Sequence, residues 1–142
     1  MSDSRYLRPL WEDRLLSVLR IVTGLLFMEH GTAKVLDFPH VATHVPFNLS
    51  VLFTLNPGLG GVLELLGGFL IVIGLFTRPV AFVLSGHMAV AYFMAHAPRG
   101  VFPLLNGGEL AIVYSFVFLF LSAAGGGVWS LDRSRGADDH DR

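Results

Sequence analysis

The sequence predicts an all-α protein, an antiparallel four-helix transmembrane bundle. Three observations lead there. Of its 142 residues 53% are hydrophobic and only 15% charged, with a mean hydropathy of +0.61, too apolar for an ordinary soluble domain of this length. Four apolar stretches can be drawn, Leu15–Leu36, Gly58–Phe76, Pro79–His96 and Leu104–Ala124, each near the ~20 residues that a helix needs to cross a ~30 Å hydrocarbon layer. The basic residues outside them are lopsided: Arg5, Arg8, Arg14, Arg78, Arg133, Arg135 and Arg142 fall on one side and chiefly Arg99 on the other. Cytoplasmic loops collect Lys and Arg, so both termini are expected in the cytoplasm, with the loops over 37–57 and 97–103 outside. The chain then divides into an interfacial lead-in over residues 1–14, a four-helix domain over 15–132 and a charged, disordered tail over 133–142.

Met1 to Asp13 is polar, with Tyr6, Leu7, Leu10 and Trp11 placed to sit at headgroup depth. The first span is too long for a cleaved signal peptide, and no small-residue cleavage site follows it. It carries Arg20, Glu29, His30 and Lys34. A charge at the centre of a span costs about 2.5–3.5 kcal/mol on insertion scales, so such groups usually face the protein interior or a watery cavity. At 100° per residue Arg20, Gly24, Phe27, Gly31 and Lys34 share one stripe, with His30 on its flank. That stripe is expected to face partner helices. Glu29 lies opposite and is expected at the outer interface, another helix or a second protomer.

The following loop holds Pro39, Pro46 and Pro57 among apolar residues and is expected to form a short interfacial helix. Asp37, His40 and His44 fall at i, i+3 and i+7, and two His at i, i+4 on a helix can chelate a metal. No second ligand cluster accompanies them, so no metal site is assigned. In the second span Gly60, Glu64, Gly67, Ile71 and Gly74 line one stripe, which puts a carboxyl on a close-packing face. Glu64 must be neutral or paired with Arg20, Lys34 or a His. Lys34 matches it in depth, while Arg20 lies too far toward the inner side. Thr77-Arg78-Pro79 turns the chain into an antiparallel hairpin with the third span.

The third span carries His87 near its middle and His96 near its outer end. His87 beside Gly86 and Ala91 reads as a packing residue or as a ligand. A bis-His haem site between His30 and His87 is disfavoured by their different expected depths. In the fourth span Asn106 and Glu109 occupy the first outer turns, level with His30 and Lys34, where a shared polar cluster is expected. Gly125-Gly126-Gly127 ends that helix and Trp129 marks the inner interface. The absence of cysteine excludes disulfides, thiolate metal sites and thiol relays carried by this chain. A net charge of −1 leaves no electrostatic footprint for nucleic acid.

These pieces together resemble the DoxX family of small bacterial and archaeal membrane proteins. The resemblance rests on Arg20…Gly24…Phe27…His30-Gly31…Lys34, on Glu64…Gly67-Gly68…Gly74-Leu75-Phe76-Thr77-Arg78, on Asn106-Gly107-Gly108-Glu109, and on GGGVWSLD over 125–132. Glu29, where an apolar or aromatic residue is expected, and the lack of a fused domain depart from it. The resemblance implies a cell membrane location, in bacteria the inner membrane, and membrane redox chemistry of the kind served by the small subunit of a thiosulfate:quinone oxidoreductase or by assemblies for oxidative-stress defence.

Three functions stay open. In the first, the chain is a redox subunit with a quinone as candidate cofactor. His30, Glu64 and Glu109 would act as proton donors, Arg20 or Lys34 would stabilise negative charge, and Asn106 and His87 would complete the site. With no electron carrier of its own, it would need a partner oxidoreductase. In the second, it is a scaffold that recruits redox enzymes and the charges are structural pairs. In the third, the polar seam is a proton or solute pathway. A homo-oligomer is compatible with any of these.

Overall fold

A computed structural model describes residues 9–42, 47–48, 50 and 53–136. Among these the chain is helical and contains no strand. Helix α1 runs Leu10–Val35; α2, Gly60–Ile73, is entered through a π-helical turn, Leu55–Leu59. Helix α3, Thr77–Ala91, continues through a π-helical turn, Tyr92–His96, and a 3-10 turn, Ala97–Arg99. A single turn α4, Pro103–Asn106, precedes α5, Glu109–Ala124, and a short α6, Leu131–Ser134, closes the described chain. α1 packs along α2, α3 along α5, and α2 against α3 joins the two pairs into an antiparallel four-helix bundle. The start of α1 and the end of α5 share the terminal end of the bundle; Lys34, Glu64 and His96 mark the loop end.

The bundle is built for an apolar surround. Two helices, Leu10–Val35 and the continuous Thr77–Arg99, are long and apolar enough to cross a membrane, and shorter apolar helices, Pro57–Ile73 and Glu109–Ala124, lie beside them. Its outer surface presents Val22, Leu25, Phe69, Phe82, Phe116 and Phe120, while Ser17, Arg20, Glu64 and Ser85 are buried. Lipid tails give no hydrophobic drive for helix association, so small residues and interhelical hydrogen bonds must hold the helices. Both devices are present. At Gly31 a Cβ would lie 2.2 Å from the Leu65 backbone nitrogen, and at Gly68 one would lie 2.9 Å from the Met28 backbone, so α1 and α2 touch backbone to backbone. Between α3 and α5 the serines exchange bonds: Ser85 Oγ donates to the Ser115 carbonyl at 2.8 Å, and Ser115 Oγ returns one to the Ser85 carbonyl at 3.0 Å. Phe27, Ile71, Leu84, Phe118 and Leu121, almost fully buried, fill the middle.

At the terminal end Arg20, 0% exposed, spends its guanidinium on backbone carbonyls. Nε donates to Gly126 at 2.7 Å, Nη2 to Trp129 at 2.9 Å, and Nη1 to both Ile71 and Val72. The last carbonyls of a helix have no intrahelical donor and carry its negative pole, so a cation there is doubly favoured. Asp132 does the opposite service for α3: its two carboxylate oxygens accept from the Phe76 and Thr77 amides, each at 2.7 Å, at the positive pole. The backbone amide of Asp132 reaches the Gly74 carbonyl at 2.9 Å, and Arg133 meets Asp13 at 3.0 Å. The segment over 125–134 is thereby a cap stitched across three helices.

Several boundaries differ from those expected. α1 starts at Leu10, so part of the lead-in is helical, with Glu12 and Asp13 at its positive pole. α2 stops at Ile73 because Gly74 takes a left-handed conformation (φ 69°), where a Cβ would also strike Ser130. The fourth span is broken in two at Gly107-Gly108, where Gly107 is left-handed (φ 72°). Residues 133–136, expected in a disordered tail, continue the cap; residues 137–142 lie outside the described residues. In the 37–57 loop, where an interfacial helix is expected, residues 37–42, 47–48 and 53–54 are not helical, and the π-helical turn begins only at Leu55; residues 43–46, 49, 51 and 52 lie outside the described residues.

Candidate functional site

A cavity of about 310 Å³ opens in the loop-end half of the bundle. Its floor is the aromatic cluster of the core: Tyr114 stacks on Phe118 at 5.8 Å, and Phe27 meets both rings edge-on at 5.2 and 4.8 Å. Its polar wall is made by four helical positions. Lys34 comes from the last turn of α1, Glu64 from the second turn of α2, His87 from α3, and His30 one turn before Lys34. The antiparallel packing of α1 and α2 puts the end of one beside the start of the other. Lys34 Nζ therefore meets Glu64 Oε1 at 2.7 Å, with the side chains 15% and 7% exposed. His87 Nε2 approaches the same oxygen at 3.5 Å. Glu64 Oε2 is buried with no hydrogen-bond partner among the described residues. Apolar and sulfur-bearing groups complete the lining: Met88, Val90, Met94, Leu110 and Ala111.

The structure thus brings His30, Lys34, Glu64 and His87 to one cavity. His30 is exposed at the rim, its ring edge-on to Tyr114 at 6.2 Å. The remaining candidates lie elsewhere. Arg20 sits at the terminal end with its donors committed to carbonyls. Asn106 is buried in the break before α5, donating to the Gly100 carbonyl and accepting from the Gly108 amide, both at 2.8 Å, so it shapes the turn and does not line the cavity. Glu109, expected to point inward, is exposed on the first turn of α5; the chain rotates through Gly107-Gly108, and Ala111 and Tyr114 take the inward positions. Glu29 is exposed. Asp37 pairs with His40 at 2.8 Å on the surface, and His44 lies outside the described residues. Among the described residues no three His, Asp or Glu side chains are grouped to hold a metal ion.

Tyr114 and His96 line the cavity without having been assigned to it. Tyr114 has a signal in sequence: Ala111, Tyr114, Phe118 and Leu121, all buried, repeat at helical spacing down α5. His96 has none, because its place depends on the π-helical turn that carries it; its Nδ1 faces the Asn106 carbonyl at 3.1 Å. A carbonyl only accepts, so Nδ1 bears the proton of that bond.

A quinone is the cofactor to test against this lining. The volume lies at the lower end of ligand pockets, enough for one small ring, and the mostly apolar wall with a few convergent polar groups suits such a head group. The flat aromatic floor fits it as well, while the orphaned oxygen of Glu64 calls for a donor that a quinone carbonyl does not supply. Residues 15–97, more than half of the chain, match the family model named DoxX. Two proteins of Haemophilus influenzae, both described only as uncharacterized, are similar: one is 45% identical over 120 residues, covering 82% of this chain and 87% of the relative. The other is 30% identical over 121 residues, covering 82% and 80%. No solved structure matches the chain.

Proposed function

The chain belongs to the DoxX family and is a membrane protein of that type, and from that premise we propose that it is the membrane subunit of a redox system, binding a quinone or similar ring-bearing, lipid-soluble molecule in the loop-end cavity. The observation that carries this reading is the Glu64 carboxylate: buried, balanced by Lys34 on one oxygen, and bordering an aromatic-floored cavity. When bound, a quinone would supply the electron-accepting chemistry; electrons would come from a partner oxidoreductase. The chain's own residues hold and position. Lys34 pairs with Glu64 at the wall, His87 and His30 offer ring nitrogens able to hold or release a proton, and Phe27 and Tyr114 fix the plane of a ring. Below the cavity the packed core of Phe27, Ile71, Leu84 and Phe118 stands in the way of a continuous wet path, which favours binding over conduction.

We further propose that all four long helices span the membrane with both termini cytoplasmic, so that the cavity opens near the outer face. The Arg-rich terminal end supports this. Cysteine placed at Ser134 should be protected from an impermeant thiol reagent in intact cells; labelling from outside would reverse the orientation.

The binding reading is tested by photolabelling the protein in nanodiscs with a short-tailed azidoquinone, followed by peptide mass spectrometry. Label should concentrate on the stretches over 87–96 and 110–114 and be competed by unlabelled quinone. Label confined to outward residues such as Phe82 and Phe116, without competition, would leave the scaffold reading in its place.

A further inference from the structure

Quinone and quinol heads differ in what they offer a protein. A quinone carbonyl only accepts hydrogen bonds, whereas a quinol hydroxyl both donates and accepts. Glu64 is an acceptor with an unmet need: Lys34 and, at longer range, His87 both address Oε1, and Oε2 has no partner. A carboxylate has roughly four lone-pair directions, and leaving one oxygen unserved in a buried site is unfavourable. The terminal torsion of a glutamate is soft, so the carboxylate can present its unserved oxygen to whatever enters. Across the same cavity Tyr114 brings a phenol, 6% exposed, whose hydroxyl takes no hydrogen bond among the described residues. The wall therefore pairs an unfilled acceptor with an unfilled donor.

We propose that the cavity selects the hydroxyl-bearing, reduced form of its ligand: a quinol or related phenol that donates to Glu64 and accepts from Tyr114. This rests on the reading that the cavity takes a lipid-soluble ring, and it adds which redox form the site is built to hold. A quinone places an acceptor against the carboxylate and leaves Glu64 unserved. A quinol hydroxyl both donates and accepts, and so offers what each of the two groups lacks. The two forms differ by two electrons and two protons, so preferential binding of the reduced one raises the midpoint potential of the bound couple, by about 30 mV for each tenfold of preference.

The test is equilibrium binding of decylubiquinol and decylubiquinone to the protein in nanodiscs, with redox titration of the bound couple as a second readout. Wild type should bind the quinol at least tenfold tighter, with the potential of the bound couple raised by about 30 mV or more. Tyr114→Phe removes a donor that both forms can use and should weaken both while keeping most of the ratio. Glu64→Gln supplies an amide that also donates, and should bring the ratio to within about twofold. Equal affinities in wild type, or a preference for the quinone, overturn the inference while leaving the cavity a ring-binding site. Should neither form bind, the ring-binding reading fails and this inference falls with it. The wild-type ratio decides the matter even if Glu64→Gln fails to fold.

Discussion

Arg20→Met is expected to lose most of its folded protein. The substitution keeps length and apolar bulk but withdraws the donors from the carbonyls of Ile71, Val72, Gly126 and Trp129 in a site with 0% exposure. It also leaves Asp132 without its neighbouring cation. Removing one member of such a buried charged network costs about 3–5 kcal/mol. For a chain of this size that corresponds to a fall of about 10 °C or more in melting temperature. Arg20→Lys should recover little, because an ammonium on a flexible stem cannot serve carbonyls on two separate segments in the planar fork that guanidinium provides. Melting in detergent followed by size-exclusion profile checks both variants. A wild-type profile for Arg20→Met would mean that the cap over 125–134 is held by other contacts.

The second large effect is at the cavity. Lys34→Met should reduce folded yield by leaving Glu64 a buried carboxylate without its cation, again on the order of 3–5 kcal/mol. Glu64→Gln should fold, since its amide oxygen still accepts from Lys34, and should lose function. The double variant Lys34→Met/Glu64→Leu should melt close to wild type, because removing both charges together leaves neither stranded. If the destabilisations simply add, the 2.7 Å pair is not an energetic unit.

Much of this arrangement is legible in the sequence, and the limits are physical. The stripe Gly24, Phe27 and Gly31 on α1 is readable because helical spacing fixes which residues share a face, and all three are buried. Lys34 and Glu64 are readable as a pair because antiparallel helices joined at known ends fix their relative depth. Arg20 resists the same logic. Charge arithmetic looks for a carboxylate, while its partners are four backbone carbonyls that no residue count records, supplied by a segment more than 100 positions away as well as by α2. Glu109 goes astray for a different reason: periodicity carried through from Leu104 assumes one helix, and the left-handed Gly107 resets the phase so that Tyr114 faces the cavity and Glu109 does not. The role of Asp132 is hidden because a cap across 55 positions leaves no local signature.

The central claim is that the Glu64–Lys34 pair belongs to a ligand site and is more than internal cross-bracing. The most direct test is decylubiquinol binding to the folded Lys34→Met/Glu64→Leu double variant in nanodiscs, beside wild type. Wild type should bind saturably and the double variant at least tenfold more weakly, despite its near-normal melting temperature. Equal affinity in the two proteins would contradict the claim and assign the pair to structure alone.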